Sequence, residues 1–145
     1  MLPATEQRVP AHTSRPVNER IRRDIEERVA ACAERPERIR DRLSELKREW
    51  DVERALEANA AAIGFVGVVL AAAVDPWFLL IPAIVTAFLF QHALQGWCPP
   101  LPILRRLNFR TAREIDEERV ALKALRGDFR GAEASAGSAL AAAAD

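Results

Sequence analysis

Residues 60–74 read AAAIGFVGVVLAAAV, and residues 77–94 read WFLLIPAIVTAFLFQHAL. Between Glu57 and Arg105 the only formal charge is that of Asp75. A helix needs about 20 predominantly apolar residues to cross a hydrocarbon core ~30 Å thick. The two runs therefore predict two helices that form a hairpin in a membrane.

We place the spans at about residues 58–74 and 77–94, within a hairpin domain over residues 55–108. Asp75 is a predicted N-cap for the second span, and Pro76 fits the first position of a helix. The charged flanks offer too little apolar surface to cover two helices that are apolar on all sides. A lipid bilayer is therefore the expected partner of the hairpin, in preference to the core of a soluble protein.

The rest of the chain predicts an all-α protein with amphipathic cytoplasmic helices on both sides of the hairpin. Residues 1–17 are rich in proline and lack periodicity, which predicts disorder, as does the low-complexity tail at 128–145. Residues 18–54 predict a pair of charged helices, and residues 111–127 predict one more helix.

The helix pair is interrupted at Pro36, and its second helix is predicted to run from Glu37 to Ala60. Its apolar residues alternate spacings of four and three, as in a coiled coil, and we expect Cys32 among them to be buried. The pair could fold on itself, self-associate, lie on a membrane, or bind a cytoplasmic protein through residues 19–57. The stripe consists of Ile25, Val29, Cys32, Pro36, Ile39, Leu43, Leu46 and Trp50.

Charge sets further bounds on function and predicts an orientation. The formal net charge is +0, so the protein has no overall positive field that would attract nucleic acid. Lysine is scarce while arginine and alanine are frequent, which indicates a bacterial genome rich in G and C. Basic residues flank both spans and are absent from the turn, which predicts that both termini lie in the cytoplasm. These residues are Lys47, Arg48, Arg54, Arg105, Arg106, Arg110 and Arg113.

The first span carries small residues on one face, at Ala60, Gly64, Gly67 and Ala71. Small residues let helices approach closely in lipid, where packing drives association. This stripe predicts a helix-packing face, although alanine and glycine are common throughout this region.

Polar and thiol side chains gather where the second span ends. Cys98 is a candidate reactive thiol or, alternatively, an interfacial cysteine held in a proline-rich turn. Gln91, His92 and Gln95 could form hydrogen bonds between helices or line a polar mouth. We expect no metal site, because one histidine and one cysteine do not complete a ligand set. The sequence also contains no phosphate-binding loop and no credible catalytic triad, so we expect no cofactor and no catalytic site.

The hairpin resembles the YgaP-like transmembrane domain of bacterial inner membranes over residues 52–108. The resemblance is carried by Glu53-Arg54, by the small residues of the first helix, and by Gly96-Trp97-Cys98-Pro99 followed by Leu104. It implies an inner-membrane protein that pairs through its hairpin. Some members carry a rhodanese sulfurtransferase domain, and others consist of the hairpin alone.

The chain departs from that family in several places. The residues after Cys32 do not resemble a rhodanese active-site loop, Pro100 and Pro102 lengthen the exit, and Asn108 stands where glycine is frequent. Sulfurtransferase activity is therefore not implied, and Cys98 is the one position that the resemblance transfers.

These observations lead to three functional hypotheses. The first is a non-enzymatic, two-span membrane protein that forms homo-oligomers through its hairpin. The second is a protein that handles thiols or sulfane sulfur with Cys98. The third is a small oligomeric channel lined by Gln91, His92 and Gln95.

Overall fold

The computed structural model describes Ala4, residues 6–130 and residues 135–144. Within these residues all regular secondary structure is helical, which confirms the predicted all-α class. The helices are α1 (Arg8–Ala11), α2 (Arg15–Glu34), α3 (Ile39–Leu46), α4 (Val52–Ala73), α5 (Leu80–Gln95), α6 (Leu101–Arg106), α7 (Ala112–Arg126) and α8 (Ala136–Ala144). Short 3-10 helices over Pro36–Arg38 and Pro76–Leu79 precede α3 and α5.

The chain divides into two compact units. The hairpin unit contains the described residues up to Ile21 together with Trp50–Ala112. The charged unit contains Arg22–Glu49 together with the described residues from Arg113 onward.

Helix α4 begins at Val52, so the predicted helix from Glu37 to Ala60 is corrected to two helices. The Asp51 carboxylate accepts a hydrogen bond of 2.6 Å from the Arg54 backbone N–H and forms the N-cap. The Val52 N–H donates to the Arg110 carbonyl at 2.8 Å. These bonds satisfy two amides that a helix start leaves without an intrahelical partner, and so fix the break at this point.

The turn between α4 and α5 forms as the sequence predicts. The Asp75 side chain accepts a hydrogen bond of 2.8 Å from the Trp77 N–H, and Pro76 occupies the first helical position. At the other end, α5 stops at Gly96, which has a φ of +79°. Glycine adopts this left-handed conformation at no steric cost, which makes it a suitable helix terminator.

The predicted small-residue face lies against α5 of the same hairpin. A Cβ added at Gly67 would lie 2.7 Å from Pro82 Cδ and 2.9 Å from Ile81 Cβ. At Gly64 the nearest atom would be Pro82 Cβ at 3.9 Å, an ordinary contact. Gly67 is buried, while Ala60 and Ala71 are partly buried. Close approach of the two helices therefore depends mainly on Gly67.

The hairpin unit has a core at its open end, which we define as the end where α4 begins and α5 terminates. Its buried residues come from α1, α4 and the segment after α5, and Phe109 packs against them. They are Val9, Val52, Ala55, Leu56, Cys98, Leu101 and Leu104.

A fully buried arginine joins the segments around this core. Arg105 is 0% exposed, and its guanidinium donates to Thr13 Oγ1 at 3.2 Å, to the Phe109 carbonyl at 3.1 Å and to Asn18 Oδ1 at 3.0 Å. Thr13 in turn donates to the Val9 carbonyl at 2.9 Å. The guanidinium thus links the start of the chain to the segment that follows the second apolar helix.

The structure corrects the predicted disorder of residues 1–17. Where described, this segment contains α1 and the start of α2, because Val9 is buried in the core and Thr13 binds Arg105. Residues 1–3 and 5 lie outside the described residues. The sequence of this segment has no helical periodicity. Tertiary contacts order it instead, and such contacts leave no local pattern in the sequence.

In the charged unit, α2 and α3 pack with α7. The buried residues are Cys32, Ile39, Leu43, Leu46, Ile115 and Leu122. Burial of Cys32 is confirmed, whereas Pro36 and Trp50 of the predicted coiled-coil stripe are exposed. The stripe therefore ends at Leu46, and the helix pair packs on this chain.

A buried carboxylate holds α7 to the helix pair. Glu118 is 0% exposed and accepts hydrogen bonds from Arg42 Nε at 2.7 Å and from Arg28 Nε at 3.3 Å. Arg42 also binds Glu45 at 2.8 Å. Burial opposes the charge on Arg42, but its hydrogen bonds to Glu118 and Glu45 raise the pKa of the guanidinium overall. Two cations thus compensate the buried anion.

The tail predicted to be disordered at 128–145 contains α8 where it is described. Its alanines favour helix, and the Lys123 ammonium donates to the carbonyls of Ala142 at 3.3 Å and Ala143 at 2.9 Å. A cation at a helix C-terminus donates hydrogen bonds to carbonyls that lack an intrahelical partner, and it interacts favourably with the negative end of the helix dipole. Residues 131–134 and 145 lie outside the described residues.

We expect Gly67→Ala to lower the free energy of unfolding by about 1–3 kcal/mol, because the methyl group would overlap Pro82 and Ile81. The matched control Gly64→Ala has room for its methyl group and should leave stability unchanged or raise it by up to about 1 kcal/mol. Thermal unfolding in detergent, followed by circular dichroism, measures both. Equal effects of the two variants would contradict this packing.

Arg105→Met should destabilise the protein by at least about 3 kcal/mol, since several buried acceptors lose their donor. Arg106→Met, at an exposed neighbouring position, is the control and should change stability by less than about 0.5 kcal/mol. The same unfolding assay applies. A tolerated Arg105→Met would show that the guanidinium does not hold these segments together.

Candidate functional site at the open end of the hairpin

The predicted site residues take up different environments at the open end. His92 is 4% exposed and Cys98 is 3% exposed. Gln91 is partly buried, and Gln95 is exposed. The three residues of the predicted polar mouth therefore do not line one common opening.

An arginine from α1 contacts the end of α5. The Arg8 guanidinium donates to the Ala93 carbonyl at 2.7 Å and lies 3.9 Å from a Glu53 carboxylate oxygen. A Cβ at Gly96 would lie 2.5 Å from the Cβ of Arg8, so only glycine permits this approach. Arg8 thus links the start of α4 to the end of α5.

Arg8, Glu53 and His92 form a cluster with unsatisfied polar atoms, which we call the Arg8 cluster. Arg8 Nε, Glu53 Oε2 and both ring nitrogens of His92 are buried and make no hydrogen bond to the residues that the structure describes. Buried polar atoms are normally paired with protein or ordered water. The cluster therefore has capacity to bind water or a small polar group.

Sequence reasoning identified His92 and missed its neighbour Arg8. Arg8 precedes the first periodic segment, and 85 residues separate it from the carbonyl that it binds. The isolated basic residue in a proline-rich stretch gave no local signal of this contact.

An apolar groove of about 360 Å³ opens between α4, α5 and the segment that follows α5. Its one amide side chain is Asn59, which donates to the Ala55 carbonyl of its own helix at 2.8 Å. Cys98 forms part of the wall. The lining consists of Leu56, Asn59, Ala60, Ile63, Val85, Phe88, Leu89, Cys98, Pro99, Pro100, Ile103 and Leu104.

Cys98 is placed for packing. Burial raises the pKa of its thiol above the ordinary value, and the backbone of Leu101 only partly offsets this effect. The neutral thiol is favoured at neutral pH, whereas nucleophilic chemistry and metal binding require the thiolate. Among the described residues, no group of three or more His, Cys, Asp or Glu side chains could hold a metal ion.

No family model, curated protein or solved structure matches this chain. The resemblance to YgaP-like hairpins thus stays a prediction from the residues that carry it.

Alkylation should distinguish a packed Cys98 from a reactive one. We expect iodoacetamide at pH 7 to modify native Cys98 at least about tenfold more slowly than the unfolded chain, because the thiol is buried and neutral. Peptide mass spectrometry separates the modification of Cys98 from that of Cys32, which is also buried.

The pH dependence has a definite sign. A thiol pKa that is raised in the folded state stabilises the fold fully below the ordinary value of 9.0, and this stabilisation is lost as pH rises from there through the folded-state pKa. The wild type should therefore lose stability relative to Cys98→Ala above about pH 9. Rapid alkylation at pH 7 would contradict the burial of a neutral thiol.

Proposed function

We propose that the protein is a non-catalytic, two-span protein of a bacterial inner membrane that anchors charged helices in the cytoplasm. One observation carries the proposal. Helix α4 and the segment Pro76–Gln95 each contain a stretch with a mean hydropathy of 1.8, yet only 17% and 6% of these stretches is buried. Core helices of soluble proteins have similar composition but are mostly buried, so outward exposure favours lipid contact.

Exposed apolar side chains cover much of the outer surface of the hairpin. They come from both helices and include large aromatic and branched residues. Clusters of this kind are rare on soluble monomers. They include Ile63, Phe65, Val66, Val68, Val69, Leu80, Ile84, Phe88, Phe90 and Leu94.

Aromatic residues at both ends of the hairpin support this reading. Trp77 lies in the turn and is 77% exposed. Trp50 precedes α4, and the Arg54 guanidinium lies 4.3 Å from its ring centroid. Tryptophan is enriched at membrane interfaces, where it has both an apolar body and a polar N–H.

A scaffold role fits the geometry better than catalysis or permeation does. Thiol chemistry requires an accessible thiolate, whereas Cys98 is buried. A pore requires a shared polar lining, whereas Gln95 is exposed and His92 is buried. Homo-oligomer formation through the outer face of the hairpin, and a cytoplasmic protein partner for residues 19–57, belong to the same proposal.

Reporter fusions test both insertion and orientation. Green fluorescent protein fused after Arg130 should fluoresce, and alkaline phosphatase inserted after Asp75 should be active, because basic residues flank the spans but not the turn. Exchanging the two reporters gives the matched controls, both of which should be inactive. Active phosphatase after Arg130, or inactive phosphatase after Asp75, would contradict this topology.

A further inference from the structure

We propose that the groove at the open end binds an acyl chain of an anionic phospholipid, and that Arg106 binds its phosphate. This inference rests on the proposed membrane insertion and names a ligand for the inserted hairpin. It is carried by the shape of the groove and by the charge beside it.

The groove can accept hydrocarbon because its lining is almost entirely apolar. Leu56, Ala60 and Ile63 form its wall on α4, at the spacing of one helix face. The Asn59 amide N–H₂ already donates to the Ala55 carbonyl. Atoms that line an empty apolar space lose dispersion contacts, which a chain of CH₂ groups would restore.

The groove opens toward the surface that faces lipid in the proposed topology. Ile63, Phe88 and Ile103 each line it and are also exposed, by 50%, 36% and 61%. Its walls are therefore continuous with the exposed apolar surface of the spans. A lipid chain could enter sideways and remain in apolar surroundings throughout.

Helix α6 places a cation beside the groove. Leu104 and Arg105 are buried, whereas Ile103, Arg106 and Leu107 are exposed. Arg106 lies three residues after Ile103, so both occupy neighbouring positions on one helix face. Its side chain makes no ion pair with the residues that the structure describes. A guanidinium binds phosphate with two parallel hydrogen bonds, which suits an anionic headgroup above the chain.

The same charge argues against a second copy of this chain as the occupant. Helix packing over the groove would bring Arg106 against an apolar helix surface and remove its hydration, which is costly for an uncompensated cation. A phospholipid supplies both the hydrocarbon and the anion.

Lipid binding can be measured by native mass spectrometry of the full chain in mild detergent. We expect phosphatidylglycerol to bind more tightly than phosphatidylcholine with the same acyl chains. Arg106→Gln should weaken phosphatidylglycerol binding about fivefold, because the substitution removes one positive charge that contacts the phosphate. Binding of phosphatidylcholine should stay unchanged.

Steric variants test where the acyl chain of the lipid binds. Ala60→Phe fills the groove and should abolish retention of both lipids, whereas Ala61→Phe, at an exposed neighbouring position that does not line the groove, should not. Ile103→Gln provides a second test at the exposed rim of the groove, and it should weaken the binding of both lipids. Circular dichroism should show that each variant remains helical.

Three results would overturn the inference: equal binding of the two lipids with no effect of Arg106→Gln, equal effects of Ala60→Phe and Ala61→Phe, or a dimer without bound lipid that Ala60→Phe dissociates. The last result would identify a second copy as the occupant. Correct reporter topology together with any of these results would refute only the lipid site, whereas wrong topology would refute membrane insertion itself.

Discussion

The apolar side chains that α4 and α5 direct outward are the constraint on which the rest of the structure depends. Burying one large apolar side chain contributes about 1.5–3 kcal/mol relative to leaving it in water. Many such side chains are exposed on this hairpin, among them Phe65 and Phe90. No described part of the chain covers them. Under the proposed membrane insertion, a bilayer provides the missing apolar phase and accounts for helices that are apolar on nearly all sides.

In the proposed topology the helix ends need partners for their free backbone groups, because lipid offers none. At the turn, Asp75 caps the second helix. At the open end, arginines supply the donors. Arg8 binds the Ala93 carbonyl, and Arg20 binds the Arg106 carbonyl at 3.1 Å. Helix α1 and the first turns of α2 thereby belong to the hairpin unit.

The hairpin and its turn could be predicted from sequence because their signals are local. Charge segregation marks the two runs, and Asp75-Pro76 marks the cap within neighbouring residues. Burial of Cys32 followed equally from the spacing of its stripe. In each case the deciding pattern lies within one or two helical turns.

The contacts that assemble the open end could not be predicted, because they join residues far apart in the chain. Arg105 and Thr13 are separated by 92 positions, and Arg8 and Ala93 by 85. The sequence presents Arg105 as one of several flanking charges, whereas the structure buries it completely. Sequence periodicity shows which side chains share a helix face, but it does not show which distant segment covers that face.

Alkaline carbonate extraction of membranes from cells that express the full chain tests the central claim most directly. Integral membrane proteins remain in the sedimented bilayer under this treatment, whereas peripheral and soluble proteins are released. The hairpin predicts that the protein stays in the pellet and enters solution only with detergent. Release into the supernatant as a monodisperse protein without detergent would show that the exposed apolar surfaces of α4 and α5 are covered in another way, and it would contradict membrane insertion.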